Sequence, residues 1–272
     1  MINVIKYSLV RIIEKYPIFH TLIYNNIDKF KFLFPHEKDY LGLKLIFNSN
    51  FQGDFLDIGG NIGLSTIGFR SLGFKKNKIY IFEPNTKNCQ NKLSLLKRKD
   101  KKIFILNFGL SSKNKNINLY TPIYKKKSFH FLSSSDKSYV TSKLKYHYRE
   151  KYQNFKLTAQ KIKLKKFDSL KKKINPKFIK IDVEGHDHEV IKGMMISIKK
   201  NLPVILIEYN KENFFEIYKL LKKIYNSYLY DINLNKLIML NKKQIKSLVN
   251  GKMKKNFYLG QRNIFFLPKL QK

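Results

Sequence analysis

Cysteine is almost missing from this chain of 272 residues: Cys89 is the one present. No intramolecular disulfide can form, so a secreted cross-linked scaffold is excluded and a reducing compartment is expected. Acidic residues are also scarce, 19 against 55 Lys and Arg, giving a formal charge of +36. No uncharged apolar run approaches the ~18 residues needed to cross a bilayer. The N-terminal residues Ile2, Ile5, Leu9, Ile12, Ile13 and Tyr16 repeat at helical spacing, but Lys6, Arg11 and Lys15 interrupt any signal-peptide core. A basic amphipathic helix of this kind packs on a main domain or rests on an anionic membrane surface. The expected location is therefore the cytoplasm, at most peripheral at the inner face of the membrane.

What is abundant is apolar surface: 43% hydrophobic and 14% aromatic residues are enough for a packed core. The length fits one large domain, or one domain with an added segment. The positive charge is nearly all lysine, with arginine only at 11, 70, 98, 149 and 262. Such a surface attracts polyanions, anionic lipid headgroups or phosphorylated small molecules.

Residues 1–50 read as a helical lead-in, broken near Pro17 and Pro35. From Phe55 onward, short apolar runs alternate with helical segments. Strands are expected at Phe55–Ile58, Lys78–Phe82, Ile103–Asn107, Phe178–Val183 and Val204–Glu208, with helices over Leu64–Leu72, Thr86–Arg98 and Glu189–Lys199. The runs are apolar on both faces, as in a parallel sheet covered by helices. This predicts an α/β fold with a mostly parallel, doubly wound sheet. Residues 51–272 form its domain, with an insertion over about 112–173 that holds a strand near Ile117–Tyr120 and a solvated lysine-rich edge from Lys161 to Lys173. A helix near Asn213–Ile224 and strands at Tyr228–Ile232, Leu237–Leu240 and Asn263–Leu267 follow, the last suited to an antiparallel sheet edge.

The strongest local signal is Asp57-Ile58-Gly59-Gly60-Asn61-Ile62-Gly63, between a strand and a helix. Glycines let a ligand approach the main chain, Asn61 tolerates left-handed backbone, and the next helix offers free N–H groups. Glu83 ends the second strand, where a carboxylate can accept bonds from the vicinal hydroxyls of a ribose. A dinucleotide site wants G-x-G-x-x-G, a spacing absent here. Asp57 would repel a pyrophosphate yet suits the ammonium of a methionine moiety, so S-adenosylmethionine is favoured over NAD.

These segments resemble the FkbM family of methyltransferases: Phe55–Gly63, Phe82-Glu83-Pro84-Asn85, Asn107–Ser111, Phe167–Leu170, Lys180-Ile181-Asp182-Val183-Glu184-Gly185 and Pro203–Glu208. The resemblance spans about Phe55 to Glu208. It departs at Gly60, where alanine is commoner, and at His186-Asp187, where Glu usually follows. It implies a Rossmann-like class I methyltransferase fold, S-adenosylmethionine as donor and O-methylation of a sugar or related small molecule. It also implies donor contacts from Asp57, Gly59, Gly60, Asn61, Gly63, Glu83, Asn85 and Gly109.

Asp57, Glu83, Asp182 and Glu208 all fall at carboxyl ends of strands, where parallel sheets bind ligands. Methyl transfer to an alcohol needs an aligned oxygen and a group to take its proton. Asp182 and His186 are the expected catalytic pair, His186 held by a carboxylate, with Glu184 orienting the acceptor. The competing reading has Asp182 and Glu184 capping the helix after Gly185. His188 is expected to face solvent and Cys89 to sit in the core. His186 and His188 cannot both ligate from one regular helix, which argues against zinc; a weakly held Mg²⁺ on carboxylates and sugar hydroxyls stays open, with metal independence the expectation. The acceptor is expected to be a carbohydrate, phosphorylated, nucleotide-linked or lipid-linked, made for surface glycans. The alternative, a nucleic-acid-binding protein or an RNA or DNA methyltransferase, rests on net charge alone. The acids after the fourth strand oppose a phosphate backbone, so no specific nucleic acid is expected.

Overall fold

The computed structural model describes residues 34–251, except 49 and 126, and residues 263–269. The lead-in helix expected over Ile2–Tyr16 lies outside the described residues. A 3₁₀ turn (Lys38–Gly42) runs into the short helix α1 (Leu43–Ile46), and the alternating pattern then begins. β1 (Asp54–Ile58), α2 (Leu64–Ser71), β2 (Ile79–Phe82), α3 (Ser94–Lys99) and β3 (Ile103–Leu106) form the first half. The expected helix from Thr86 is present but opens with a π-helical turn over Asn88–Leu93.

The insertion builds its own layer. β4 (Gly109–Leu110), β5 (Lys115–Tyr124), β6 (Lys127–Ser128), α4 (Lys137–Tyr148) and β7 (Lys156–Lys165) follow in order, and the strands form a four-stranded sheet β4-β7-β5-β6. The sequence reading misses α4, whose twelve residues (KSYVTSKLKYHY) carry no clean apolar stripe. Asp136 caps it by accepting the N–H groups of Ser138 and Tyr139.

The second half comprises β8 (Pro176–Ile181), α5 (Asp187–Asn201), β9 (Val204–Glu208), α6 (Lys211–Leu221), β10 (Tyr225–Asp231), β11 (Lys236–Met239), α7 (Lys242–Val249) and β12 (Asn263–Pro268). The main sheet runs β11-β10-β12-β9-β8-β1-β2-β3. Pairing is parallel from β3 through β9, while β12 enters antiparallel between β9 and β10.

Alternate residues of the central strands feed two cores. Phe55 and Phe178 join Tyr40, Phe47, Phe69 and Phe74 on one face, with the Phe55 and Phe178 rings 5.1 Å apart. Leu56, Ile58, Ile179 and Ile181 meet Val190, Met194 and Ile198 of α5 and Phe214 of α6 on the other. Asp168, in the turn after β7, clamps α5 by accepting the N–H groups of Ile196 and Ser197 at 2.9 and 3.0 Å. That gives the Phe167–Leu170 segment a structural task.

After β3 the chain returns to the far side of β1 to lay down β8, so β1 and β8 flank the point where the sheet order reverses. A crevice for ligands forms beyond the carboxyl ends of such strands. Gly59 sits at this point with φ 82°, and a Cβ there would lie 1.9 Å from the Asp182 carbonyl oxygen. Gly73 has φ 101° but faces open space. We expect Gly73→Ala to cost about 1–2 kcal/mol, from left-handed strain alone. Gly59→Ala adds a backbone collision and is expected to cost more than about 3 kcal/mol by urea unfolding; equal costs would refute the contact.

Candidate active site

The loop after β1 is tied to the end of β2. The N–H groups of Gly59 and Gly60 approach the Phe82 carbonyl at 2.9 and 3.4 Å, and Gly63 N–H closes the loop on the Gly60 carbonyl at 2.7 Å. Asn61 adopts φ 47°. Its N–H donates to Glu83 Oε2 at 2.7 Å, while Asn85 N–H donates to Glu83 Oε1 at 2.8 Å. Both oxygens of Glu83 are thus fixed by backbone, each keeping acceptor capacity for another donor. Burial pushes the Glu83 pKa up to about 7, against the two amide bonds. Asn88 Nδ2 steadies Asn61 through its Oδ1 at 3.0 Å.

Asp57 lies beneath this loop, wholly buried. Its Oδ2 accepts from Thr66 Oγ1 at 2.7 Å, and its Oδ1 has no hydrogen-bond partner among the described residues. Burial raises its pKa, opposed by Lys180 and Thr66. The Asn85 side chain accepts from Lys87 and Asn88 N–H at 3.0 and 3.3 Å and meets His130 Nδ1 at 3.0 Å. Gly109 packs against Leu164 and Pro84, apart from the hydrogen bonds of the Glu83 cradle. Cys89 is buried, its thiol donating to the Glu83 carbonyl at 3.2 Å and pushed by burial to about 12.

A second group of acids gathers at the ends of β8 and β9. One oxygen each of Asp182, Glu184 and Glu208 lies within 4.8 Å of the other two. They are spaced to share a cation or a set of hydroxyl donors. Three carboxylates so close need neutralising. Lys180, 2% exposed, donates to Asp182 Oδ2 at 2.7 Å. Burial opposes its ammonium, but Asp182, Tyr40, Glu37 and Asp57 together hold its pKa well above the usual value. Glu184 is held in the left-handed region, φ 48°, with Tyr139 Oη donating to its Oε2 and Ser134 Oγ to its carbonyl, each at 3.0 Å. Burial, then Asp182, raises its pKa to about 7.

Neither Asp182 nor Glu184 caps α5: the N-cap is His186, without a side-chain cap bond. Asp187 fills the nearby role, its Oδ1 accepting Val183 N–H at 3.2 Å. His186 Nε2 meets Ser111 Oγ at 3.0 Å, a hydroxyl where a carboxylate was expected. Burial, then Lys115, lowers the His186 pKa to about 4, so the ring is neutral at pH 7. His188 is half-buried and 3.4 Å from Glu189, which corrects its expected solvent-facing position.

Sequence reasoning leaves out Lys180, Tyr139, Ser134 and His130. Lys180 carries a signal, being a charge set between apolar residues, Phe178-Ile179 and Ile181, of a central strand. The insertion residues carry none, because their positions depend on how a polar segment folds back. Residues ahead of β1 also contribute: Asn263, register partner of Glu208, donates its N–H to Asp39 Oδ2 at 2.9 Å and its Nδ2 to Glu37 Oε2 at 2.7 Å.

Lys180→Met is expected to cost about 3–5 kcal/mol, because it leaves buried carboxylates without their counter-ion. Asp57, whose pKa burial already raises, would then retain a proton in the folded state that the unfolded chain releases. Variant stability should therefore fall as pH rises, relative to wild type. Urea unfolding at about pH 5 and about pH 8 checks this; a difference independent of pH would refute it.

Residues 57–232 match the methyltransferase FkbM domain. No curated protein matches the sequence. Among solved structures, the chain is similar to methyltransferase FkbM from Methylobacillus flagellatus KT, at 16% identity and TM-score 0.49, over 85% of this chain and 48% of that one. It spans about half the length of that protein. It is also similar to precorrin-6y C5,15-methyltransferase from Geobacter metallireducens GS-15, at 9% identity and TM-score 0.36, over 85% and 86% of the two chains. Both likenesses are distant. The domain match, in contrast, runs from Asp57 through Glu83, the acids at the end of β8 and Glu208, over well more than half of the sequence, and the chain belongs to the FkbM methyltransferase domain family.

Proposed function

We propose that this protein transfers a methyl group from S-adenosylmethionine to a hydroxyl of a sugar or related small molecule. The observation that carries the reading is the meeting of Asp182, Glu184 and Glu208 beside the loop after β1. Clustered carboxylates suit a polyol, whose hydroxyls donate hydrogen bonds, and one of them can take the proton lost on methylation. The donor fits the first half of the site: Glu83 presents two fixed acceptors, the loop offers bare backbone, and Asp57 keeps a buried oxygen without a partner among the described residues. Residues that would hold it are Asp57, Gly59, Gly60, Asn61, Gly63 and Glu83. When bound, S-adenosylmethionine supplies a methyl group made electrophilic by its positive sulfur.

Asp182 Oδ2 is already engaged by the Lys180 ammonium, which suits it to orient the acceptor. Glu184, near neutrality in its protonation and held by Tyr139, is the better-matched proton acceptor. His186, neutral and bonded to Ser111, lines the rim. Titration calorimetry with S-adenosylmethionine, followed by transfer of labelled methyl to free sugars, sugar nucleotides and lipid-linked sugars, tests the whole reading. Absence of donor binding, or label appearing in RNA instead, would overturn it.

Glu83 and Glu184 carry the quantitative expectations. Glu83 must be ionised to accept two ribose hydroxyls, and its pKa stands at about 7. Donor affinity should therefore rise as pH increases through neutrality, while Glu83→Gln binds about 1.5–3 kcal/mol more weakly with little pH dependence. Glu184→Gln should leave donor affinity intact and slow turnover by roughly 10²–10⁴. The raised Glu184 pKa also means that its ionisation, between its unfolded value and about 7, opposes folding. Above neutrality Glu184→Gln should then gain stability relative to wild type, and below about pH 4.5 the gain should vanish.

A further inference from the structure

Where the second sheet meets the loop after β7, an open groove of about 660 Å³ is lined by Lys115, Lys163, Lys165 and Lys171, with Asn116 and Ser169 between them. No acidic side chain lines it among the described residues. The strands bring these groups together. β5 and β7 run antiparallel with Lys115 opposite Leu164 and Asn116 opposite Lys163. Alternation along β7 buries Ile162 and Leu164 and leaves Lys163 outside. Lys165 Nζ lies over the Phe108 ring at 4.4 Å. Lys172, next in the loop, lies 4.7 Å from both the Tyr80 and Phe104 rings, which stack 5.0 Å apart. The ring contact holds the Lys165 ammonium in place against repulsion from its neighbours.

The nearby acids have other work. Asp168 is bonded to α5, and Glu189 to Lys192 and Ser112. The groove is thus lined by cations with no acid among them, and its volume is that of a small-molecule site. Lys115 is close enough to His186 to help lower its pKa, and Ser111, four residues earlier, bonds the same ring. His186 follows Glu184 by two residues.

We propose that this groove binds the diphosphate of an acceptor carried as a diphosphate ester, so that its hydroxyl reaches Asp182, Glu184 and Glu208. The ligand assignment rests on the reading of those acids as the acceptor site; the anion site itself does not. The test titrates inorganic pyrophosphate, uridine diphosphate and geranyl diphosphate at physiological salt into three proteins. These are wild type, the groove variant K115Q/K163Q/K165Q/K171Q, and a charge-matched control K199Q/K200Q/K222Q/K223Q on exposed lysines elsewhere.

Wild type and control should bind at least one of the diphosphates saturably at one site, and the groove variant about tenfold or more weakly. The two organic diphosphates distinguish a nucleotide from a lipid carrier. The double variant K163Q/K171Q should fall between, which guards against misfolding of the fourfold variant. Absence of saturable binding, equal loss in groove and control variants, or groove-dependent binding of phosphatidylglycerol vesicles without pyrophosphate binding would each overturn the proposal. S-adenosylmethionine affinity, measured in parallel, should be the same in all proteins. Its absence would defeat the methyl-transfer reading while leaving the anion result standing.

Discussion

The buried ammonium of Lys180 is the interaction on which the rest of this site depends. It occupies a central strand between two apolar cores, where an isolated charge would be prohibitive. It is stable there because Asp182 meets it directly and Tyr40, Glu37 and Asp57 surround it. In return, it lets several carboxylates collect at the point where the sheet order reverses. The ends of β1 and β8 are pressed together at the same place, with Asp182 N–H on the Ile58 carbonyl at 3.0 Å and Gly59 against the Asp182 carbonyl. The loop after β1 and the acid cluster are therefore one mechanical unit.

Much of this was legible in the sequence because parallel strands buried on both faces write continuous apolar runs. Val204–Glu208 is found as expected, and the other central strands differ by one or two residues at their ends. The Asp57–Gly63 loop and Glu83 were legible for a different reason: the glycines and the strand-end acid are local in sequence, and the loop's N–H groups close on Glu83 and Phe82 directly. What escaped was the insertion. α4 has almost no apolar periodicity, and its Tyr139 gains meaning only when the helix lands beside Glu184. The partner of His186 escaped for the same reason, since Ser111 is 75 residues away in sequence.

The family match ends at residue 232 and begins at Asp57, yet the polar network at the site does not. Asp39 and Glu37 precede it and Asn263 follows it, and their bonds tie the entering chain to β12 beside Glu208. Tyr139, Ser134 and His130 lie within it but on the inserted layer. The loop after β1 and Glu83 thus stand on the main sheet, while the walls around the acids come from the inserted layer and from segments outside the matched domain.

Charge completes the argument. A chain of net +36 concentrates several of its few acids at a single crevice, where burial holds Glu83 and Glu184 near neutrality rather than fully ionised. The long-range field outside that crevice is positive and draws anions toward the surface. Inside it, short-range hydrogen-bond acceptors favour hydroxyl donors over phosphates. A ligand that satisfies both fields carries negative charge at one end and hydroxyls at the other. Lysine composition alone would draw in any polyanion, but the acids at the ends of β8 and β9 restrict what can enter the site itself.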